Sequence, residues 1–140
     1  MQKDKFCDLL GDGDPLDIID LTERVIAIGE CVPSRVLGIL CLVDQGEADW
    51  KVLTIANSDP NADKVRDPDD IEKLWPGKIA ALRKWFEEYK IPEGKARNEF
   101  LGEVEGPDKA MRVIHYMRQN WKDLLSGQVK KEDLWIGKYS

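Results

Sequence analysis

Asp12, Asp14, Asp17 and Asp20 fall inside the stretch GDGDPLDIID, residues 11–20. Carboxylates this dense repel one another unless water screens them or a cation holds them. Several on one turn make an all-oxygen site that suits Mg²⁺, Mn²⁺ or Ca²⁺ and suits Zn²⁺ or Cu²⁺ poorly. Pro15 stiffens the turn and limits how far the aspartates can relax apart. A solvated acidic turn explains the same residues, and on this stretch alone both readings stand. An EF-hand loop fits badly. Counting from Asp12, its fifth, sixth and twelfth places hold Leu16, Asp17 and Glu23, where the pattern needs an oxygen ligand, Gly and Glu.

A second acidic group lies in LVDQGEADWKV, with Asp44 ending one apolar run and Asp49 just before the next. Lys51 follows Asp49 by two residues, so on a strand both side chains share a face and Trp50 points to the other. A carboxylate and an ammonium side by side can hold a metal and an anionic oxygen together. They can equally form a surface ion pair of little energetic consequence. Tyr89 and Lys90, at the end of a helical stretch, can both donate to phosphate oxygens. Lys90 also reads as ordinary charge complementarity at a helix C-terminus. His115, the only histidine, reads as a surface or core-edge residue. Asp59, Asp63, Asp67, Asp69 and Asp70 read as loop and cap residues.

These groups need elements to carry them. ERVIAIGE (residues 23–30), SRVLGILCLVD (34–44) and WKVLTIA (50–56) read as strands separated by turn residues, with DQGEAD (44–49) as a hairpin loop. Short sequential strands of this kind predict an antiparallel sheet or barrel. Ile71, Trp75, Ile79, Leu82, Phe86 and Tyr89 then recur at helical spacing, with Asp67 or Asp69 as cap and Pro76-Gly77 splitting the stretch into two helices. Residues 98–106 alternate like a further strand. Ala110, Ile114, Met117, Trp121 and Leu124 predict a last helix from near Pro107 to Gly127. Leu134-Trp135-Ile136 are expected to dock on the rest of the chain.

The bulk numbers agree with these elements. The 140 residues suffice for one domain, and 42% of them are hydrophobic, enough for one core. A net charge of −6 argues against non-specific nucleic-acid binding. No apolar run approaches a membrane span, and the charged N-terminal residues do not read as a secretory signal. Cys7, Cys31 and Cys41 show no metal spacing. Cys31 and Cys41 read as free, partly buried thiols in strands, which suits a reducing compartment.

Together the blocks GDGDPLDIID, VLGILCLVDQGEADWKV and WFEEYKIPEGKARNEF resemble, in order and spacing, the eukaryotic type of soluble family I inorganic pyrophosphatase. The resemblance runs from Gly11 to about Gly127. It implies an α+β, mainly β fold: an OB-like five-stranded barrel with helices packed outside. It implies Mg²⁺-dependent hydrolysis of pyrophosphate to two phosphates, with several Mg²⁺ ions and Mn²⁺ as a substitute. Asp12, Asp17 and Asp49 would ligate the activating metals. Asp44 and Asp49 would hold those arriving with substrate. Asp14 would act as general base, and Lys51, Tyr89 and Lys90 would contact phosphate oxygens. Asp20 stands where relatives commonly carry Glu and is expected to be structural. The resemblance also implies a homodimer and a cytoplasmic location, with an organellar form open.

By the same resemblance, residues 1–140 read as part of a catalytic domain. Family members carry roughly a hundred further residues ahead of the first block, on the scale of half a domain. Those residues bring strands, two glutamates, a lysine, an arginine and a tyrosine. The expectation is therefore a fragment or truncated product whose barrel lacks its N-terminal strands and whose catalysis is impaired alone. The alternative is a non-catalytic metal-binding or interaction module that pairs with a complete pyrophosphatase subunit.

Overall fold

The computed structural model describes residues 3–132, 134, 136 and 137. Its centre is a long hairpin of β3 (Ser34–Asp44) and β4 (Glu47–Ala56). Two residues join them: Gln45 and Gly46 both have positive φ, 52° and 86°. That backbone matches the twist of the flanking strands, so the connection is tighter than the predicted 44–49 loop. Two short strands flank β4 on its other side, β1 (Leu10–Gly11) and β2 (Asp17–Asp20), and β5 (Glu99–Phe100) pairs with β3.

The five-stranded sheet is mixed, which corrects the antiparallel expectation. It does not close among the described residues, in keeping with an α+β, mainly β fold whose barrel is expected to lack its N-terminal strands. β1 and β2 both run parallel to β4, and parallel neighbours cannot be joined by a tight turn. β2 ends and β3 begins beside the C-terminal end of β4, with β4 between them. The segment joining them loops past that end, and residues 23–30 belong to this loop and not to a strand. Val25 and Ile28 in it are 92% and 107% exposed, so its apolar composition imitates a strand without a core to fill. Cys31 is exposed here as well, contrary to expectation, while Cys41 is buried. The predicted strand over residues 98–106 shrinks to β5 and one bridge between Ile39 and Glu105.

Alternation along the hairpin gives the sheet two different faces. Ile39, Cys41, Ala48, Trp50 and Val52 pack against Ala110 and Val113 of α3 (Pro107–Leu125). Trp121 continues the apolar stripe of α3 but is 53% exposed. On the opposite face, Leu37, Leu53 and Ile55 join Leu21, Ala62, Val65 and Ile71 in a second core. This core is covered by α1 (Pro68–Leu74) and α2 (Lys78–Glu88). The helices fall where the spacing predicts, because their boundaries are chemical. Asp67 caps α1 by accepting from the Asp70 N–H at 2.9 Å, Pro68 opens it, and Gly77 precedes α2 at φ 80°. Of the segment expected to dock at residues 134–136, Leu134 is exposed and Trp135 lies outside the described residues.

Gly38 lets α1 approach the sheet. A Cβ there would stand 2.7 Å from the Glu105 carbonyl oxygen and 3.0 Å from Pro68 Cγ. Neither neighbour is the end of a flexible side chain. Gly38→Ala is therefore expected to destabilise the chain by about 1–3 kcal/mol, the range for overpacking. A lowered denaturation midpoint with an unchanged slope would show it.

Candidate metal and phosphate site

The face carrying α1 and α2 also carries the acidic groups, at the turn end of the hairpin. Parallel pairing sets Asp17 opposite Lys51. Antiparallel pairing sets Leu42 opposite Asp49 and Asp44 opposite Glu47. The side chains of Asp17, Asp49 and Lys51 consequently meet. Lys51 Nζ donates to Asp17 Oδ2 at 2.5 Å and to Asp49 Oδ2 at 2.6 Å. Lys51 and Asp49 are buried, whereas Asp17 lies open to water.

The electrostatics follow from this burial. Desolvation alone would push the Lys51 ammonium down, but its hydrogen bonds to Asp17 and Asp49 outweigh it and hold it above the usual lysine value. Desolvation raises the Asp49 carboxyl, and the bond from Lys51 only partly opposes this. Asp12 is half-buried, and desolvation pushes its carboxyl up to about 6 against the opposing hydrogen bond from the Asp14 N–H, 3.0 Å long. The negative charges of Asp49 and Asp14 push Asp12 the same way as burial.

A second ammonium–carboxylate pair stands beside the first. Lys90 Nζ donates to Asp44 Oδ2, and this bond is the leading reason the Lys90 ammonium is raised. Tyr89 and Lys90 follow directly on α2, where an aromatic group orders them. Trp85 stacks on Tyr89 with centroids 5.0 Å apart, and Phe86 meets Tyr89 edge-on at 5.8 Å. Lys51 Nζ lies 5.4 Å from the Phe86 ring centroid, so one ring borders both the β4 lysine and the α2 tyrosine.

Asp12, Asp17, Asp44 and Asp49 are thus linked through the lysines and through their mutual charge. Asp14 is exposed at the turn. Asp20 lies on the other face of β2 from Asp17 and accepts from Thr22 Oγ1 at 2.5 Å. His115 is exposed on α3. Two contributors escaped the sequence reading. Asp4, 5% exposed, accepts from Trp50 Nε1 at 2.9 Å and so anchors β4 from beneath the site. Asn98, also 5% exposed, bonds to the end of α2. A lone carboxylate in a charged N-terminal segment carries no signal of a tryptophan so far along the chain.

The donor set suits a hard divalent cation, because all of its ligating atoms are carboxylate oxygens. Asp17 and Asp49 already aim one oxygen each at a single positive atom, Lys51 Nζ. Among the described residues no three His, Cys, Asp or Glu side chains are arranged to hold a metal together. The lysines hold those oxygens instead, so a cation would enter by taking the oxygens over from them.

The sequence model described as inorganic pyrophosphatase matches residues 3–122. The chain is 42% identical over 122 residues to an inorganic pyrophosphatase of Zygosaccharomyces bailii, covering 86% of this chain and 42% of the relative. It is 41% identical over 125 residues to that of Homo sapiens, covering 88% and 43%. Its fold is similar to the solved inorganic pyrophosphatase of Schistosoma japonicum, with a TM-score of 0.85 at 37% identity, covering 88% of this chain and 44% of that one. The chain belongs to the inorganic pyrophosphatase family. It spans under half the length of these relatives, and membership implies a divalent-metal requirement.

Proposed function

We propose that this chain hydrolyses pyrophosphate to two phosphates with Mg²⁺, using the acidic face of its hairpin. The observation that carries the proposal is the convergence of Asp17 and Asp49 on one cationic point, beside Lys90 on Asp44. Asp12, Asp17, Asp44 and Asp49 would hold the ions, with Mn²⁺ a possible substitute. Bound Mg²⁺ supplies charge neutralisation for a dense polyanion and lowers the pKa of water. Asp14, exposed at the turn, receives the proton of the attacking water. The water oxygen bonds to phosphorus, and the phosphorus–oxygen bond to the bridging oxygen breaks. Lys51, Tyr89 and Lys90 donate to the phosphate oxygens that gain charge. Homodimer assembly and a cytosolic location belong to the same reading.

The test is phosphate release from Mg-pyrophosphate by the purified chain. Release that rises with Mg²⁺ supports the proposal. Absent release, together with absent Mg²⁺ binding by calorimetry, overturns it.

Protons should compete with the metal at Asp12. Its folded carboxyl, at about 6, binds a proton more tightly than the ordinary aspartate at 3.8. Asp12 therefore favours the metal-free fold most at acid pH and loses that contribution as pH rises from about 4 to 6. A cation needs the ionised form. Mg²⁺ affinity is accordingly expected to fall by up to about tenfold per pH unit below 6. Asp12→Asn should flatten that dependence and weaken binding at pH 7.5. Calorimetry in buffers of different ionisation heat measures the released proton.

A further inference from the structure

We propose that Asn98 is a positioning residue for Tyr89 and Lys90; the proposal rests on their reading as phosphate contacts. Asn98 fastens both ends of the loop that carries them. Its backbone N–H donates to the Glu87 carbonyl at 3.0 Å, and its Nδ2 donates to the Phe86 carbonyl at 3.2 Å. Both carbonyls lie in the last turn of α2, where helix carbonyls lack partners of their own. Immediately after Asn98 the chain enters β5, where Glu99 pairs with Val43 and Phe100 with Leu42. That register brings Asn98 level with Asp44.

Asn98 therefore joins the helix end that presents Tyr89 and Lys90 to the sheet edge that presents Asp44. It is 5% exposed, so water cannot readily replace its donation. The carbonyl it holds belongs to Phe86, whose ring borders both Lys51 and Tyr89. Within the loop, short turns brace the chain, from Gly94 N–H to the Ile91 carbonyl at 2.9 Å and from Glu93 N–H and Lys95 N–H to the Lys90 carbonyl at 3.1 and 3.3 Å, with a solvent-exposed Lys95–Glu93 ion pair beside them. Without the Asn98 side chain, the loop is still tied to α2 by the Asn98 backbone N–H and by the Tyr89 N–H bond to the Trp85 carbonyl at 2.8 Å, with the ring contacts to Trp85 and Phe86. The Arg97 ion pairs with Glu87 and Glu88, largely solvent-screened, tie it as well, but none of these reaches the Phe86 carbonyl.

Two variants test this in the full chain. Asn98→Ala removes the side chain, and Asn98→Asp keeps its shape but removes the donor. In both, hydrogen exchange of the amides at 89–97 should speed up about tenfold, while the β3–β4 amides keep their protection. Affinity for inorganic phosphate in saturating Mg²⁺ should fall about 10- to 100-fold, the scale of a misplaced contact. Affinity for Mg²⁺ alone should change less than about twofold.

Unchanged loop exchange in a folded variant overturns the proposal. So does a loss spread evenly over loop exchange, hairpin exchange and Mg²⁺ affinity, which is what a merely structural residue would give. If the unsubstituted chain binds no phosphate and releases none, the functional reading fails. The exchange measurement then still decides whether Asn98 sets the loop.

Discussion

Asp14→Asn is expected to lower pyrophosphate turnover at least a hundredfold while leaving the fold and Mg²⁺ affinity nearly intact. Asparagine has the same shape but cannot accept a proton from water, and a positioned base contributes about 10²–10⁴-fold. The carboxylate is exposed, and its backbone N–H, which bonds to Asp12 Oδ1, is untouched by the substitution. Stability should therefore change by less than about 0.5 kcal/mol, as for other surface exchanges. The result is read as kcat at saturating Mg²⁺ and pyrophosphate, with the thermal midpoint as control. Turnover within a factor of about three of the parent would remove Asp14 from the proton-accepting role.

Lys51→Met should show its largest effect in the absence of metal. The ammonium is buried and serves two carboxylates, Asp17 and Asp49. Removing it leaves Asp49 buried beside Asp17 with no counter-charge. Breaking a buried pair from one side costs about 3–5 kcal/mol. Asp17 is 60% exposed and can turn to water, so about 2–3 kcal/mol is expected here. Mg²⁺ should restore much of that loss, because a cation can take the oxygens Lys51 held. The metal-induced rise in thermal midpoint should thus be larger in Lys51→Met than in the parent. An equal or smaller rise would mean that Lys51 and the metal do not share those oxygens. The sign follows from the raised lysine pKa. The Lys51 bonds stabilise the fold below the ordinary lysine range and are lost only as pH climbs through the elevated one.

The hairpin was readable because its information is local. Period-two alternation put Asp49 and Lys51 on one face and Trp50 on the other, as the structure has them. Pro, Gly and Asp marked the helix ends for similarly local reasons. The partner of β2 was not readable. Its pairing with β4 joins distant segments in parallel, and no turn between them advertises it. Hence the Asp17–Lys51 contact, which organises the site, could not be foreseen from spacing. Val25 and Ile28 misled for the complementary reason: residue type reports propensity, whereas burial is decided by what the remaining elements leave room for. Asp4 and Asn98 gave no warning, since each acts through a single long-range or loop-closing bond.

The open sheet has one further consequence, for solubility. β2 pairs with β4 on one side only among the described residues, so its other backbone edge is available to a foreign strand. Ile18, at 55% exposure, makes that edge sticky. Asp17 and Asp20 bracket it with negative charge, and Pro15 stands just ahead with no N–H to donate. The aspartates proposed to gather cations thus include one that also repels a second copy of the same strand. A carboxylate surrendered to a metal no longer guards the edge.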